Sequence, residues 1–343
     1  MSERAPDLGW QKAGGSPHRI GLALGRAGRR AAHAHLPSSL YFQAITGPAH
    51  AQAVARMAAN TRARFPLIWA EIEGLAEGLE MPVEQVFAWN CRGDLLARVP
   101  DGCTTVMVPG AEPVLAHNED GLPFFRGGCF VAEVTPEHAP GFHAFCYPGS
   151  IPGHTFAFND AGLAQTTNNI RLTGIEPDIP RMVLGRAVLT TDSLTAALDI
   201  LRDGSDSGPN SGGFHFALSS RRDPRILSVE FGRGQLSVVE ITRVSAHANH
   251  ALHHPLGVSR QIITQSSGDR QIRADQLLAE GCDPLTILRD DGGTGLPIRR
   301  DAPDDPDDEN TLGTAVLRLA ADGIHWSIHD RRTGPATYSG TTP

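Results

Sequence analysis

The chain has 343 residues, 40% of them apolar and 20% charged, with a formal net charge of −8. This composition suits a globular chain with one large core, and no apolar run approaches the roughly 18 residues of a membrane-spanning helix. The cations are nearly all Arg and thinly spread, which argues against a nucleic-acid backbone as partner.

Met1–Ser16 mixes charges, Pro and Gly without the apolar stretch of a secretory signal, so it reads as a frayed leader. Ile20–Leu24 is expected as a short strand. Gly21-x-x-x-Gly25 then marks tight strand packing, since no Lys-Ser/Thr follows to complete a phosphate loop. Helices are expected over Ala49–Arg64, Pro66–Leu79 and Val83–Trp89. Pro66 can start a helix, Gly78 and Pro82 punctuate one, and Ile68, Ile72, Leu75 and Leu79 recur at spacings that mark a buried helical face.

From Cys103 the period changes to short apolar runs separated by Gly, Pro and Asn, with strands expected over Thr105–Val108, Val114–Ala116, Cys129–Val134, His143–Tyr147, Thr155–Phe158 and Gly162–Thr167. Helices follow at Arg181–Leu189 and Ser193–Leu201, the second capped by Asp192. Strands are expected over Phe214–Ser219, Ile226–Phe231 and Leu236–Thr242, helices over Arg270–Glu280 and Pro284–Asp290, and strands over Thr314–Leu319 and Ile324–Ile328. Helices that cluster, instead of alternating with every strand, predict an α+β fold with helical layers on antiparallel sheets. Asp301–Asn310 lacks the Gly and terminal Glu of a calcium loop and reads as a solvated connection.

The change from helices to strands falls at Pro100-Asp101-Gly102-Cys103-Thr104-Thr105. Structural cysteines favour the middle of apolar segments, whereas this one follows a flexible Asp-Gly turn and opens a strand. It is either a partly buried turn cysteine or a thiol placed for chemistry. The five cysteines form no C-x-x-C pair, so reduced thiols in a cytoplasm are expected.

Asp101-Gly102-Cys103-Thr104-Thr105, followed by Asn118-Glu119-Asp120, resembles the self-processing site of the acyl-coenzyme A:isopenicillin N acyltransferase family of N-terminal-nucleophile hydrolases. Upstream, Glu71-Ile72-Glu73-Gly74-Leu75-Ala76-Glu77-Gly78 and Trp89-Asn90-Cys91-Arg92 are similar to that family's pro-segment. Downstream, Asn159-Asp160-Ala161-Gly162-Leu163-Ala164 through Asn168, then His247-Ala248-Asn249-His250, Ser266-Ser267 with Arg270, Thr311 and Gly334-Pro335 fall in the family's order.

The resemblance implies a four-layer αββα sandwich, two antiparallel sheets between helical layers. It also implies scission between Gly102 and Cys103, leaving residues 1–102 as a helical small subunit and 103–343 as the catalytic core, together one structural domain. Chemically, the thiol attacks the preceding carbonyl, where Gly102 tolerates strain, and the resulting thioester is hydrolysed. The freed α-amine, with a reference pKa of about 8, then serves as base for its own thiol.

By the same resemblance, Asn249 and Asn168 supply oxyanion donors and Asp120 holds the α-amine through a charge-assisted hydrogen bond. Related bile-salt and penicillin V hydrolases carry an arginine where this chain has His117. Arg300 aligns with a substrate-facing arginine or is a surface residue. Phe124 and Tyr147, with Phe125, Phe156 and Phe158, line an acyl pocket or belong to the core.

The expected activity is hydrolysis or transfer of the acyl group of a small N-acyl amine or acyl thioester through an acyl-cysteine. A strict hydrolase of aminoacyl-amines or other linear amides and an uncleaved small-molecule-binding protein are the alternatives. No cofactor or metal is expected, although a coenzyme A thioester would serve as acyl donor. His247, His250, His253 and His254 form a ligand-like cluster, but Pro255 and the absence of a helical period leave them without a shared face. Neither nucleic acid nor membrane is an expected partner. The two fragments would form a heterodimer, with higher oligomers left open.

Overall fold

A computed structural model describes residues 7–96, 99–202 and 208–342. Its first half carries strand β1 (Gly9–Gly15) and helices α1 (Pro17–His35), α2 (Leu40–Ile45), α3 (Ala51–Arg64), α4 (Pro66–Leu79), α5 (Val83–Asn90) and α6 (Arg92–Leu95). Strands β2 (Gly102–Val108), β3 (Val114–Gly121), β4 (Phe130–Pro136), β5 (Phe142–Cys146), β6 (Phe156–Asn159) and β7 (Leu163–Ile170) follow. Helices α7 (Arg181–Val188) and α8 (Leu194–Leu201) precede β8 (Gly213–Ser220), β9 (Asp223–Gly232), β10 (Gln235–Glu240) and β11 (Ser245–His247). The described chain ends with α9 (Gln265–Ala279), α10 (Pro284–Leu288), β12 (Asn310–Ala320), β13 (Gly323–His329) and β14 (Tyr338–Thr342).

The strands form two sheets, ordered β1-β4-β5-β6-β7-β8-β9-β10 and β11-β2-β3-β12-β13-β14. The expected α+β character is therefore present. All pairings are antiparallel except β1 with β4, a parallel pair running from Gly9↔Phe130 to Gly15↔Pro136. That pair corrects two expectations at once, because the leader is an ordered sheet edge over these residues and one sheet is not purely antiparallel. Met1–Pro6 lie outside the described residues.

Ile20–Leu24 is helical, not a strand. Ser16 accepts the Arg19 N–H, Pro17 occupies the first turn, and the Ala-rich sequence beyond Leu24 continues the helix. Gly21 and Gly25 serve close packing between helices: a Cβ on Gly21 would overlap the Glu71 carbonyl of α4, and one on Gly74 would overlap the His18 carbonyl of α1. Gly21→Leu is therefore expected to lose about 3 kcal/mol by overpacking. The gain in helix propensity is only about 1 kcal/mol. Urea unfolding checks the sign, and an unchanged midpoint would refute the packing argument. A smaller correction concerns α8, whose cap is Ser193, accepting the Ala196 N–H, rather than Asp192.

Side-chain alternation along β2 sets the position of the site. Val106 turns to a cluster containing Ala246, Ala274, Leu277, Ile287 and Leu288, the apolar faces of α9 and α10. Cys103 and Thr105 turn the other way, and Thr105 reaches Thr166 and Asn168 of β7 in the eight-stranded sheet. On β7 itself Gln165 points away from β2 and donates to the Gly153 and Gly185 carbonyls, the latter on α7. The start of β2 thus lies between the two sheets.

Candidate active site

The β2–β3 hairpin pairs Gly102 with Asp120, Cys103 with Glu119 and Thr105 with His117. Cross-strand partners share a face, as do residues two apart, so Cys103, Thr105, His117 and Glu119 form a square of side chains between the sheets. Cys103 is only 2% exposed. Its Sγ lies 3.6 Å from Glu119 Oε2, and Tyr147 donates to Glu119 Oε1 at 2.8 Å. His117 Nε2 stands 3.2 Å from the same Oε2, and His117 Nδ1 is 2.9 Å from Thr105 Oγ1.

On the backbone side, Asn249 Oδ1 accepts the Cys103 N–H at 2.7 Å and an Arg270 N–H at 2.6 Å. Arg270 also donates to the Cys103 carbonyl, to Thr104 Oγ1 at 3.0 Å and to Ser266 Oγ at 3.0 Å. Asn249 is held in turn by its own N–H to Ser267 Oγ, 2.8 Å, near the N-terminus of α9. Arg270 is fully buried, and burial pulls its pKa down while Asp120 and Glu309 push it back up.

Asp120 lies opposite Gly102 and on the α9 side of the sheet, so it approaches the main chain at the junction rather than the sulfur. Its Oδ1 accepts the Thr311 hydroxyl at 2.6 Å, while its buried Oδ2 has no hydrogen-bond partner. Gly102 is constrained by the same neighbours, because an added Cβ would meet Glu309 Oε2 at 2.6 Å and Asp120 Cβ at 3.3 Å. Glu309 accepts the Asp101 N–H at 3.2 Å and Arg300 Nη1 at 2.7 Å.

Burial dominates the electrostatics. It pushes the Cys103 thiol well above its usual pKa, with Glu119, Asp101 and Asp120 adding to the effect and Arg270 opposing it. The Glu119 carboxyl is likewise pushed well above the carboxylate range by burial and by Asp101. His117 is lowered to about 3 by burial and then Arg270. The bare thiol of the intact chain is therefore a poor nucleophile unless a neighbour takes its proton.

Of the residues singled out in sequence, the structure brings Cys103, Gly102, Asp120, Asn249 and Tyr147 together, Tyr147 as a donor to Glu119. Asn249 presents its carbonyl oxygen to the Cys103 nitrogen, and its NH₂ donates to the Asn169 carbonyl at 3.1 Å. Asn168 is one step removed. Its Oδ1 accepts from Thr105 at 2.7 Å and lies 3.0 Å from His215 Nδ1, and its NH₂ donates to the His247 carbonyl at 3.0 Å, so its side-chain amide is engaged in joining the sheets.

Arg300 is neither a surface residue nor open to a substrate, because its buried guanidinium is taken up by Asp305, Asp307, Glu309 and Ser266. The Asp-rich connection is thus partly a counter-ion for this arginine. Phe124 stacks on His35. Phe158 packs with His143 and Trp326, apart from the Phe125–Tyr147–Phe145–Phe156 group that reaches His117. The four clustered histidines spread over several partners: His247 to Glu230, His250 to Ser267, His253 to Ser228 and Ser237 with the far oxygen of Glu230 at 3.8 Å, and His254 to the Gly232 carbonyl. Among the described residues, the ligand-type side chains that do converge are Cys103, His117 and Glu119, with ligand atoms within 4.8 Å of one another.

Sequence reasoning did not place Arg270, Glu119, Thr105 or Asn169 beside Cys103 and Asn249. The register of the hairpin would have found Glu119 and Thr105, since a turn between Val108 and Val114 sets them beside Cys103 and His117. Arg270 lies far along the chain, and only its place beside Ser266-Ser267 in the resemblance marks it in sequence. A cavity of about 390 Å³, lined in part by Tyr41, Val99, Pro100, Arg171, Thr264 and Glu309, opens beside the segment that precedes Gly102.

A family model for the acyl-coenzyme A:6-aminopenicillanic acid acyl-transferase matches residues 107–333, more than half of the chain, beginning just downstream of Cys103. The β-alanyl-dopamine/carcinine hydrolase of Drosophila melanogaster is similar over 236 residues at 25% identity, covering 62% of this chain. The aligned region spans 59% of that relative's length.

Proposed function

Because the chain belongs to the acyl-coenzyme A:6-aminopenicillanic acid acyl-transferase family, we propose that it is a self-cleaving enzyme acting on amide bonds. Cys103, freed by scission after Gly102, hydrolyses or transfers the acyl group of a small N-acyl amine through an acyl-cysteine. The observation that carries this reading is the buried junction at Gly102–Cys103. There the nitrogen that would become the α-amine is held by Asn249, a carboxylate oxygen of Asp120 stands unpartnered across the hairpin, and the thiol faces the space between the sheets. The two sheets with helices on their outer faces fit the four-layer αββα arrangement of N-terminal-nucleophile hydrolases. The fragments 1–102 and 103–343 would remain one structural domain. No helix among the described residues is long and apolar enough to cross a membrane, and five unpaired thiols fit a reducing cytoplasm.

In the cut enzyme the α-amine is the base for its own thiol, Asp120 and Asn249 orient that amine, and the cavity beside Val99 and Pro100 gives the substrate its approach once the preceding segment moves aside. A donor for the tetrahedral oxyanion would come from the Asn249 amide after the same movement, or from backbone N–H groups near Asn168 and Asn169. The similarity to a hydrolase of β-alanyl-dopamine and carcinine favours water as acceptor and an aminoacyl-amine as substrate over acyl transfer from a coenzyme A thioester. No step needs a metal or a cofactor.

Intact-mass analysis of purified protein is expected to find two chains, one beginning at Cys103. A panel of N-acyl amines and acyl thioesters, assayed with and without an acceptor amine, is expected to give amide hydrolysis that added amine does not outcompete. A single full-length chain with no turnover of any panel member would leave the binding-protein alternative standing.

A further inference from the structure

In the intact chain the nitrogen of Cys103 is an amide, already donating to Asn249, so it cannot accept the thiol's proton. A base other than the α-amine is needed for the first cut. We propose that Glu119, backed by His117, is the proton relay that activates the Cys103 thiol for self-cleavage; the inference rests on the self-cleavage reading above.

The hydrogen-bond pattern fixes where the relay's proton lies. Asn168 donates through its NH₂ to the His247 carbonyl, so its Oδ1 is the acceptor that receives the Thr105 hydroxyl hydrogen. Thr105 has one hydrogen to give, and its 2.9 Å contact with His117 must therefore be donated by His117 Nδ1–H. A neutral His117 then presents a bare Nε2 to Glu119 Oε2 at 3.2 Å. Two lone pairs would repel at that distance, so the pair holds one shared proton. Tyr147 fixes the other end of the carboxyl by donating to Oε1. Among the described residues, the side-chain polar neighbour of the Cys103 Sγ is Glu119 Oε2 at 3.6 Å.

The transfer balances without another reactant. The thiol proton passes to Glu119 Oε2 as the shared proton moves onto His117 Nε2. The S–C bond to Gly102 forms, and the Gly102–Cys103 C–N bond breaks as Glu119 returns a proton to the departing nitrogen and His117 returns its own to Glu119. Water then hydrolyses the thioester, restoring the thiol and leaving a carboxyl on Gly102. Glu119 touches the reacting sulfur and is the catalytic residue of this step. His117 acts through it and positions the proton. The other charged or titratable groups facing Glu119 are Asp101, Asp120, Tyr147, Cys129 and Arg92, and all remain in the variants below.

The test is a pulse of cell-free synthesis followed by intact-mass sampling for the wild type, Cys103→Ala, Glu119→Gln, Glu119→Asp and His117→Gln. Glu119→Gln is expected to cut at least about 100-fold more slowly than wild type, and Glu119→Asp to recover to within about tenfold. His117→Gln leaves Glu119 as sole acceptor, usable only when ionised. Its rate should therefore rise with pH between pH 6 and 8, because burial and Asp101 hold the Glu119 carboxyl well above the usual carboxylate range. The wild type should stay nearly flat over the same range, and a merely structural histidine would lower the rate without tilting the profile. Glu119→Gln cutting within threefold of wild type overturns the relay, and so does a flat profile for His117→Gln. Should Glu119→Gln fail to fold, judged by its fluorescence against Cys103→Ala, the His117→Gln profile decides alone. A wild-type chain that stays intact, or a Cys103→Ala chain that is cut, overturns the self-cleavage reading itself and the relay with it.

Discussion

Cys103→Ala is expected to give one uncut chain of 343 residues and to lower amide turnover by about 10⁴- to 10⁶-fold, the range seen when a covalent nucleophile is removed. The change deletes one sulfur from a site that is otherwise tied together by Asn249, Arg270 and Glu119. The backbone hydrogen bonds at residue 103 do not depend on the side chain. Folding should therefore survive, and the effect belongs to chemistry alone. Cys103→Ser supplies the graded comparison, because a hydroxyl can attack the same carbonyl but gives up its proton less readily; it should cut slowly rather than not at all. The measurement is intact mass together with turnover of the best N-acyl amine, and residual turnover within tenfold of wild type in the alanine variant would remove Cys103 from the mechanism.

Arg270→Ala has the largest expected effect on stability. Its guanidinium is fully buried and is the shared donor for the Cys103 carbonyl, Thr104, Asn249 and Ser266. Burial lowers its pKa, and Asp120 and Glu309 are buried close enough to oppose that shift. Removing the cation leaves these acceptors and carboxylates uncompensated, which typically costs about 3–5 kcal/mol. Because cutting would confuse a stability measurement, the comparison belongs in the Cys103→Ala background, with urea unfolding of the single and double variants. An unfolding free energy changed by less than about 1 kcal/mol would mean that water replaces the guanidinium, and the tie between α9 and β2 would then carry little of the fold.

Much of the architecture is legible in sequence because hydrophobic period reports local geometry. Ile68, Ile72, Leu75 and Leu79 mark α4 within its observed bounds, and the strand runs from Cys103 to Ile170 fall close to β2 through β7. Ile20–Leu24 misleads because five apolar or glycine residues look alike in a strand and in a helix packed tightly on another; only the longer Ala-rich window and the Ser16-Pro17 cap distinguish them. Strand β1 is invisible for a different reason. Its Gly and Lys residues have poor strand propensity, and its order comes from partners about 120 residues away.

The site divides in the same manner. Cys103 and Asp120 stand out through the Asp-Gly-Cys junction and the length of the hairpin, and Arg270 through the stretch it shares with Ser266-Ser267, whereas Glu309 arrives from a distant loop without a local mark. Arg300 is identifiable as a special residue but not as one enclosed by Asp305, Asp307 and Glu309, since only the path of the loop brings those carboxylates around it.

Strand β1 also orders events in time. Its hydrogen bonds to β4 link the part of the chain before the junction to the part after it, as do the Asp7 N–H donated to Asp330 and the Tyr338 hydroxyl donated to the Leu8 carbonyl. While the backbone is whole, these contacts close a loop within one molecule, where the local concentration of one end about the other is on the order of millimolar. Two separate polypeptides at cellular dilution would have to find each other and interleave a strand into a finished sheet. If the chain is cut after Gly102 as proposed, maturation would be a one-way sequence in which assembly is completed before the covalent tether is given up, and a denatured cut enzyme would have lost the connection that let it fold the first time.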